Sequence, residues 1–178
     1  EACPLNLAPT ASTTAQLALG DALAVALLDA RGFREEDFAR SHPGGALGRR
    51  LLTRVSDVMR SGDALPSVPA GAPLSEAILE VTRKRMGMTA VVGADGRLAG
   101  VFTDGDLRRL LERTTDVGAL AVDDVMSRTP TTIAPEALAV EAVRRMEERR
   151  INQLPVLDAD RRMVGALHIH DLLAARVV

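Results

Sequence analysis

The pattern of apolar and polar positions over residues 55–176 predicts short strands alternating with amphipathic helices. From Ala139 to Met146, apolar side chains recur at helical spacing, with arginine and glutamate on the other side. Shorter apolar runs, Thr89–Val92 and Gln153–Leu157, are typical of buried strands. A hairpin turn is indicated at 94–97 by Ala-Asp-Gly-Arg. Mixed α and β structure is therefore expected.

This part of the chain contains an internal repeat. Asp57-Val58-Met59 recurs as Asp124-Val125-Met126, and comparison of 74–107 with 139–172 gives ten identities in 34 positions. Each copy has the order β-α-β-β-α, and two such copies can share one core. The expected elements are the openings 55–59 and 122–126, extended pieces near 67–68 and 131–133, helices after Pro73 and Pro135, strands 89–92 and 153–157, strands 98–102 and 163–167, and helices from Asp106 and Asp171.

Residues 1–54 lie outside the repeat. Thr13 and Gln16 have the spacing of a capping box for a helix that runs to about Arg31 and stops at Gly32. That helix is apolar nearly all round, so it requires cover on several sides. A second short helix is expected over 35–40, before a glycine-rich turn at 41–49. The segment is therefore expected to be the tail of a larger α/β domain.

Composition excludes several classes of partner. Twenty-two basic and 24 acidic residues give a net charge of −2, and aromatic residues make up only 2%, so a nucleic-acid partner is disfavoured. The single Cys3 suits a reducing compartment. No uninterrupted apolar run reaches about 18 residues, and no secretory signal is visible, so we expect no membrane partner and a cytoplasmic location.

Three motifs in the repeat resemble those of tandem cystathionine-β-synthase (CBS) domains, known as a Bateman module. These are Asp57-Val58-Met59, Gly100-Val101-Phe102-Thr103-Asp104-Gly105-Asp106-Leu107 and Leu154-Pro155-Val156-Leu157-Asp158. The resemblance implies an α+β fold, a CBS pair preceded by the C-terminal helical tail of an α/β sugar-isomerase (SIS) domain. The expected boundaries are 1–54 for the SIS remnant and linker, 55–116 for the first CBS domain and 117–178 for the second.

The SIS assignment rests on separate stretches, 9–15, 20–24 and 38–45. Their order before a CBS pair, and the ending at 167–173, is similar to the D-arabinose-5-phosphate isomerase family. That family interconverts D-ribulose 5-phosphate and D-arabinose 5-phosphate, a step towards Kdo in lipopolysaccharide. The resemblance places His42 in the active site of the parent enzyme, as an acid–base group. A cap or a subunit contact is the alternative role for His42.

The strongest binding motif is Thr103-x-x-Asp106. A hydroxyl at a strand end and an acid one helical turn later can bind a phosphate and a ribose, and CBS domains use this pattern for the nucleotide ribose. The alternative is that both residues only cap a helix, and the two roles are compatible. In the second copy the motif reads His168-Ile169-His170-Asp171, which departs from the ribose pattern.

The resemblance extends the candidate ligand site to further residues. Histidine at 168 could meet a carboxylate or phosphate, while a metal site lacks a third ligand of suitable spacing. The arginines of both copies, Arg108 and Arg109 among them, are expected mainly on solvated helix faces, with a minority reaching an anionic ligand. The full set of expected ligand-binding residues is Met59, Thr89, Val101, Thr103, Asp104, Asp106, Met126, Gln153, His168, His170 and Asp171.

The sequence therefore predicts a ligand-sensing module. Its expected partner is a nucleotide or nucleotide sugar, with CMP-Kdo, CMP or an adenine nucleotide as candidates, and no cofactor or metal is expected. CMP-Kdo is nominated because it is the activated product of the pathway. The alternative is a structural module that fixes a homo-oligomer and binds nothing small. Catalysis by this chain alone is disfavoured, because the strands that hold the sugar phosphate are missing.

Overall fold

The computed structural model describes residues 1–34, 37, 52–114 and 116–177. The chain divides into two compact units, Glu1–Pro43 and Gly44–Val178. The second unit contains both copies of the repeat. The expected short helix at 35–40 and His42 lie outside the described residues, apart from Asp37.

The first unit is built on helix α1, Ala11–Ala30. The expected capping box is wrong: the helix begins after Thr10, and the Thr13 hydroxyl donates back to the Thr10 carbonyl instead. The expected end is correct, because Gly32 adopts φ +61° and its N–H donates to the carbonyl of Asp29. A glycine stops the helix there because the left-handed conformation costs it little.

Helix α1 has no buried residue, and its leucines are largely exposed, as at Leu17 (67%) and Leu19 (63%). By length and composition, this helix is long and apolar enough to cross a membrane. Gly20 and Asp21 interrupt the apolar run in the sequence, but both residues lie within the helix. The core helix of a soluble protein passes the same test.

The second unit has the expected mixed α+β order. Its bounds are α2 (Val55–Val58), β1 (Ser67–Pro69), α3 (Leu74–Lys84), β2 (Met88–Val92), β3 (Leu98–Thr103), α4 (Asp104–Leu111), α5 (Ala139–Arg149), β4 (Gln153–Leu157), β5 (Met163–His168) and α6 (Ile169–Ala174), with short 3₁₀ turns at Gly62–Ala64 and Val122–Asp124. Helices α4 and α6 begin two residues earlier than expected, because Thr103 and His168 are the N-caps.

Each copy forms its own small sheet. In the first copy β1 pairs parallel with β2, and β2 pairs antiparallel with β3. In the second copy β4 pairs antiparallel with β5. The extended piece at 131–133 makes only an isolated parallel bridge, Ile133 to Val156, where the sequence predicts a strand.

The two copies exchange their opening segments, residues 55–60 and 122–127, so that each segment packs against the sheet of the other copy. The Arg60 and Ala166 backbones bond each other across the copies, as do those of Val101 and Ser127. Val55 is consequently buried in the core of the second copy, with Leu154 and Leu167. In the matching way, Val122 and Met126 are buried in the core of the first copy. Each hydrophobic core therefore includes residues from across the repeat boundary expected at 116 and 117.

Two glycines make this exchange possible. A Cβ on Gly100 would lie 2.7 Å from the Met126 sulfur and 2.8 Å from the Ser127 carbonyl oxygen. A Cβ on Gly165 would likewise collide with the Met59 sulfur. Glycine at these two strand positions thus lets the opening segment of one copy lie directly on the sheet of the other.

Candidate functional site

The Thr103-x-x-Asp106 motif forms a complete capping box at the start of α4. The Asp106 N–H donates to the Thr103 hydroxyl oxygen (3.2 Å), and the Asp106 carboxylate accepts from the Thr103 N–H (2.9 Å) and hydroxyl (2.7 Å). The local sequence dictates this geometry, since Thr is a preferred N-cap and an acid at the third helical position can return the bond. The helix-capping role is therefore present in the structure.

A cleft of about 230 Å³ opens beside this capping box, between the two copies. Met88, Val101, Thr103 and Asp106 line it from the first copy, and Gln153 and Pro155 line it from the second. Ser127, from the exchanged opening segment, completes the wall. The cleft thus brings a hydroxyl, a carboxylate and an amide to one mixed apolar and polar surface, which is the composition of a small-molecule site.

Arg109 lines the cleft and pairs with the Asp106 carboxylate. Its guanidinium donates to the outer oxygen (Oδ1) of Asp106 at 2.7 Å, one helical turn along α4. The Asp106 side chain is only 10% exposed, whereas that of Arg109 is 63% exposed. The carboxylate is therefore held in place while its partner is free to move in solvent.

The second copy repeats the capping box with different chemistry. The His168 Nδ1 accepts from the His170 N–H (3.1 Å), and the Asp171 carboxylate accepts from the His168 N–H (3.1 Å). Burial lowers the pKa of His168 below its usual 6.5, and the neighbouring His170 and Arg60 act in the same direction, while Asp171 opposes them. A neutral imidazole fits this role, because Nδ1 must keep its lone pair to accept the capping bond.

Arg60 pairs with Asp171, which is the counterpart of Asp106 in the second copy. Its guanidinium donates to both carboxylate oxygens of Asp171 at 3.0–3.2 Å, and also to the Lys84 carbonyl (3.0 Å). The equivalent position in the other opening segment is Ser127, which is too short to reach Asp106. The two copies therefore differ in the arginine that pairs with the capping aspartate: Arg109 of the same helix in the first copy, and Arg60 of an opening segment in the second.

The structure brings some of the expected ligand residues together and separates others. Val101, Thr103, Asp106 and Gln153 line the cleft. Asp104 is exposed at the start of α4, beside Gly87. His168, His170 and Asp171 belong to the second copy's capping box, around Arg60.

Three expected ligand residues are placed elsewhere by packing. Met59 and Met126 fill the space above Gly165 and Gly100 rather than lining the cleft. Thr89 is fully buried, and strand alternation puts it on the face opposite Met88, with its hydroxyl unpartnered. The structure thus shows packing positions for these three residues, and their expected ligand role stays a prediction.

The cleft also contains residues that motif reading missed. Ser127 reaches it only because the opening segments are exchanged, and no local pattern signals that exchange. Arg109 was expected on a solvated helix face, but its i, i+3 spacing from Asp106 could have indicated the ion pair between the two side chains. Among the described residues, no group of three His, Cys, Asp or Glu side chains is arranged to hold a metal ion.

Comparison with known proteins defines the class. The CBS-domain family model matches residues 55–113 and 122–178. The chain therefore belongs to the CBS-domain family, with two copies, as the sequence motifs predicted. Among solved structures it resembles CBSX2 of Arabidopsis thaliana in complex with AMP, with a TM-score of 0.59 and 25% identity, over 69% of this chain and 95% of that one.

The chain is also similar to particular enzymes along its whole length. It is 60% identical to the arabinose 5-phosphate isomerase KdsD of Pseudomonas aeruginosa and 56% identical to KdsD of Escherichia coli, over all 178 residues in both cases. These matches cover 55% and 54% of those relatives. The chain thus spans about half the length of the curated relatives it matches.

Proposed function

We propose that this chain is the regulatory CBS pair of an arabinose-5-phosphate isomerase, and that it binds a ribonucleotide or nucleotide sugar in the cleft of the first copy. The observation that carries the proposal is the open cleft at Thr103 and Asp106. Similarity to the isomerases supports the parent activity, and the AMP complex of CBSX2 supports a nucleotide as the ligand.

The geometry suits a ribose. Asp106 is fixed through Oδ2 by the Thr103 N–H, so Oδ1, which pairs with the exposed Arg109, is the oxygen that can accept from a pair of ribose hydroxyls. The Gln153 amide lines the cleft from the second copy and can bond a phosphate or a base edge, whereas the Thr103 hydroxyl, whose proton goes to Asp106, can accept a hydrogen bond from a base edge. For the ribose to bind, the Arg109 guanidinium must leave Asp106, which its exposure allows.

The particular effector we propose is CMP-Kdo. It combines a cytidine ribose with an acidic sugar, and as the activated product of the pathway it is suited to feedback on the parent isomerase. Residues 1–54 would then be the SIS remnant, with His42 acting in the parent active site only. We further propose a cytoplasmic homo-oligomer that needs no cofactor, nucleic acid or membrane.

Calorimetric titration of the 178-residue chain tests the proposal. CMP-Kdo, CMP, AMP and ATP are titrated into the wild type, Asp106→Asn, and Asp63→Asn as a matched exposed acid away from the cleft. We expect at least one nucleotide to bind, with Asp106→Asn weakening it about tenfold or more and Asp63→Asn leaving it unchanged. Absence of heat with all four, or equal affinity in Asp106→Asn, would refute the ribose site.

A structural role is the second candidate. Leu79, Leu111 and Leu173 on α3, α4 and α6 are 69%, 50% and 51% exposed, so these helices offer apolar surface for assembly. Deleting residues 55–178 from the parent enzyme separates the two functions. Loss of assembly with effector response intact supports the structural role, whereas loss of the effector response supports sensing.

A further inference from the structure

The Asp106 carboxylate can accept only a limited number of hydrogen bonds. An ionised carboxylate offers roughly four acceptor positions, two on each oxygen. Oδ2 already accepts from the Thr103 N–H (2.9 Å) and from the Thr103 hydroxyl (2.7 Å). Oδ1 accepts from the Arg109 guanidinium (2.7 Å). Within the described ranges of the chain, one position on Oδ1 is therefore left for a ligand.

A ribose needs more than this one position. It presents two neighbouring hydroxyls, at C2′ and C3′, and both can donate to a carboxylate. Oδ2 is engaged in the capping box and cannot be released without undoing the start of α4. Two hydroxyl donors consequently need both positions on Oδ1, including the one that Arg109 holds. With Arg109 in place, the carboxylate can accept from a single ligand hydroxyl only.

The Arg109 guanidinium lies over the first turn of α4, beside the capping box. A Cβ built on Gly105 would lie 3.4 Å and 3.7 Å from the two terminal nitrogens of that guanidinium, and 3.5 Å from the Thr103 hydroxyl oxygen. The positive charge is thus near a helix N-terminus, where the helix dipole disfavours a cation. The Arg109 side chain is 63% exposed, so water can take over its donors when it moves away.

We propose that Arg109 is a built-in competitor of the ribose, an autoinhibitory contact that a ligand with both hydroxyls must displace from Asp106. This inference rests on the proposed function and adds a regulation of the same site. A 2′-deoxy ligand can use the remaining position on Oδ1 and leave the ion pair intact, whereas a ribo ligand has to break it. The Arg109–Asp106 pair therefore lowers the preference of the site for ribose over 2′-deoxyribose.

Titration of the 178-residue chain with CMP and 2′-deoxy-CMP, and with AMP and 2′-deoxy-AMP, tests this role. The measured quantity is the ratio of the affinities for the ribo and 2′-deoxy forms, in which contacts common to both ligands cancel. Affinities too weak for direct titration are measured by displacement of the ribo form. Arg109→Gln should raise the ratio about two- to fivefold in at least one pair, the factor expected for loss of an exposed ion pair.

Added salt gives a second measurement on the same ratio. Salt screens the exposed Arg109–Asp106 pair, so it should raise the ratio of the wild type and leave that of Arg109→Gln unchanged. The matched control is Arg145→Gln, which removes another arginine pair within a helix, to Glu141 on α5. Arg145 does not line the cleft, so this substitution should leave the ratio unchanged.

The outcomes separate the competitor role from the ribose site itself. An unchanged or lower ratio in Arg109→Gln overturns the competitor role, and so does an equal rise in Arg145→Gln. If the preference for the ribo form is nevertheless lost in Asp106→Asn, the proposed function stands while this inference falls. If none of the four nucleotides binds, or if neither the wild type nor Arg109→Gln prefers the ribo form, both fall.

Discussion

The Arg60 guanidinium donates hydrogen bonds to both carboxylate oxygens of Asp171, across a sequence separation of 111 residues. Their side chains are 28% and 20% exposed, so the pair is shielded from water. Arg60 also bonds the Lys84 carbonyl at the end of α3. One side chain therefore joins the opening segment to both copies.

Replacing Arg60 should destabilise the second unit. Arg60→Ser leaves the Asp171 carboxylate shielded without its forked donor, so the free energy of unfolding should fall by about 1–3 kcal/mol. Urea unfolding followed by circular dichroism measures this. The control is Arg97→Ser, whose pair with Asp95 is 3.8 Å long and exposed, and which should change stability little. An equal effect of both substitutions would contradict a specific stabilising role for the Arg60 contacts.

The same contact predicts the binding stoichiometry. Because Arg60 engages both carboxylate oxygens of Asp171, the counterpart of Asp106, we expect one nucleotide per chain. Amide shift mapping with CMP or AMP should move signals from Thr103 to Arg109 and at Gln153, and leave those at 168–171 nearly unchanged. Two equivalent binding events per chain in calorimetry would show that the second site opens despite Arg60.

Removal of the Thr103 hydroxyl should affect both helix capping and ligand binding. Thr103→Val keeps the shape but loses the cap acceptor for the Asp106 N–H, so stability should fall by about 1 kcal/mol. Thr103→Ser retains the hydroxyl and should restore both stability and nucleotide affinity. Should Thr103→Val bind nucleotide as the wild type does, the hydroxyl serves the helix alone.

The His168 cap predicts a dependence of stability on pH. Because folding lowers the pKa of this imidazole, the unfolded chain binds the proton more readily. Its contribution to stability is complete above about pH 6.5 and is lost as the pH falls below that value towards the folded-state pKa. His168→Thr should flatten the change between about pH 8 and pH 5.5 in urea unfolding. An unaltered slope would assign the dependence to other groups.

Close packing at Gly100 gives a steric prediction. A methyl group there meets the Ser127 carbonyl oxygen at 2.8 Å, and backbone cannot yield as a flexible side chain does. Gly100→Ala should therefore cost about 1–3 kcal/mol. Gly118→Ala, whose added methyl meets nothing closer than 3.7 Å, should stay within about 0.5 kcal/mol. Thermal unfolding of the two variants compares them directly.

Local patterns were enough to predict most elements of the second unit. The repeat, the hairpin turns and the α3 and α5 helices follow from periodicity and glycine placement, and these were confirmed. The strand expected at 131–133 was wrong, because pairing depends on a neighbour and only Ile133 finds one, at Val156. A local stretch of sequence does not show which distant segment it will bond to.

The candidate site was predictable only in part. Thr103 and Asp106 could be found because a capping box and a ribose motif need the same spacing. Ser127 and Arg60 could not, since their positions depend on which copy each opening segment joins. Thr89 is a related case: strand alternation directs its side chain towards the core of the first copy, and its expected ligand role stays a prediction.

The exchange of opening segments also means that the two repeats cannot be separated without disrupting both hydrophobic cores. A fragment ending at the repeat boundary would keep Gly100 but lose Met126, and would expose apolar strand surface where a neighbouring segment belongs. The two repeats are thus interlocked, and duplication, transfer to another enzyme or recombinant dissection has to move them together.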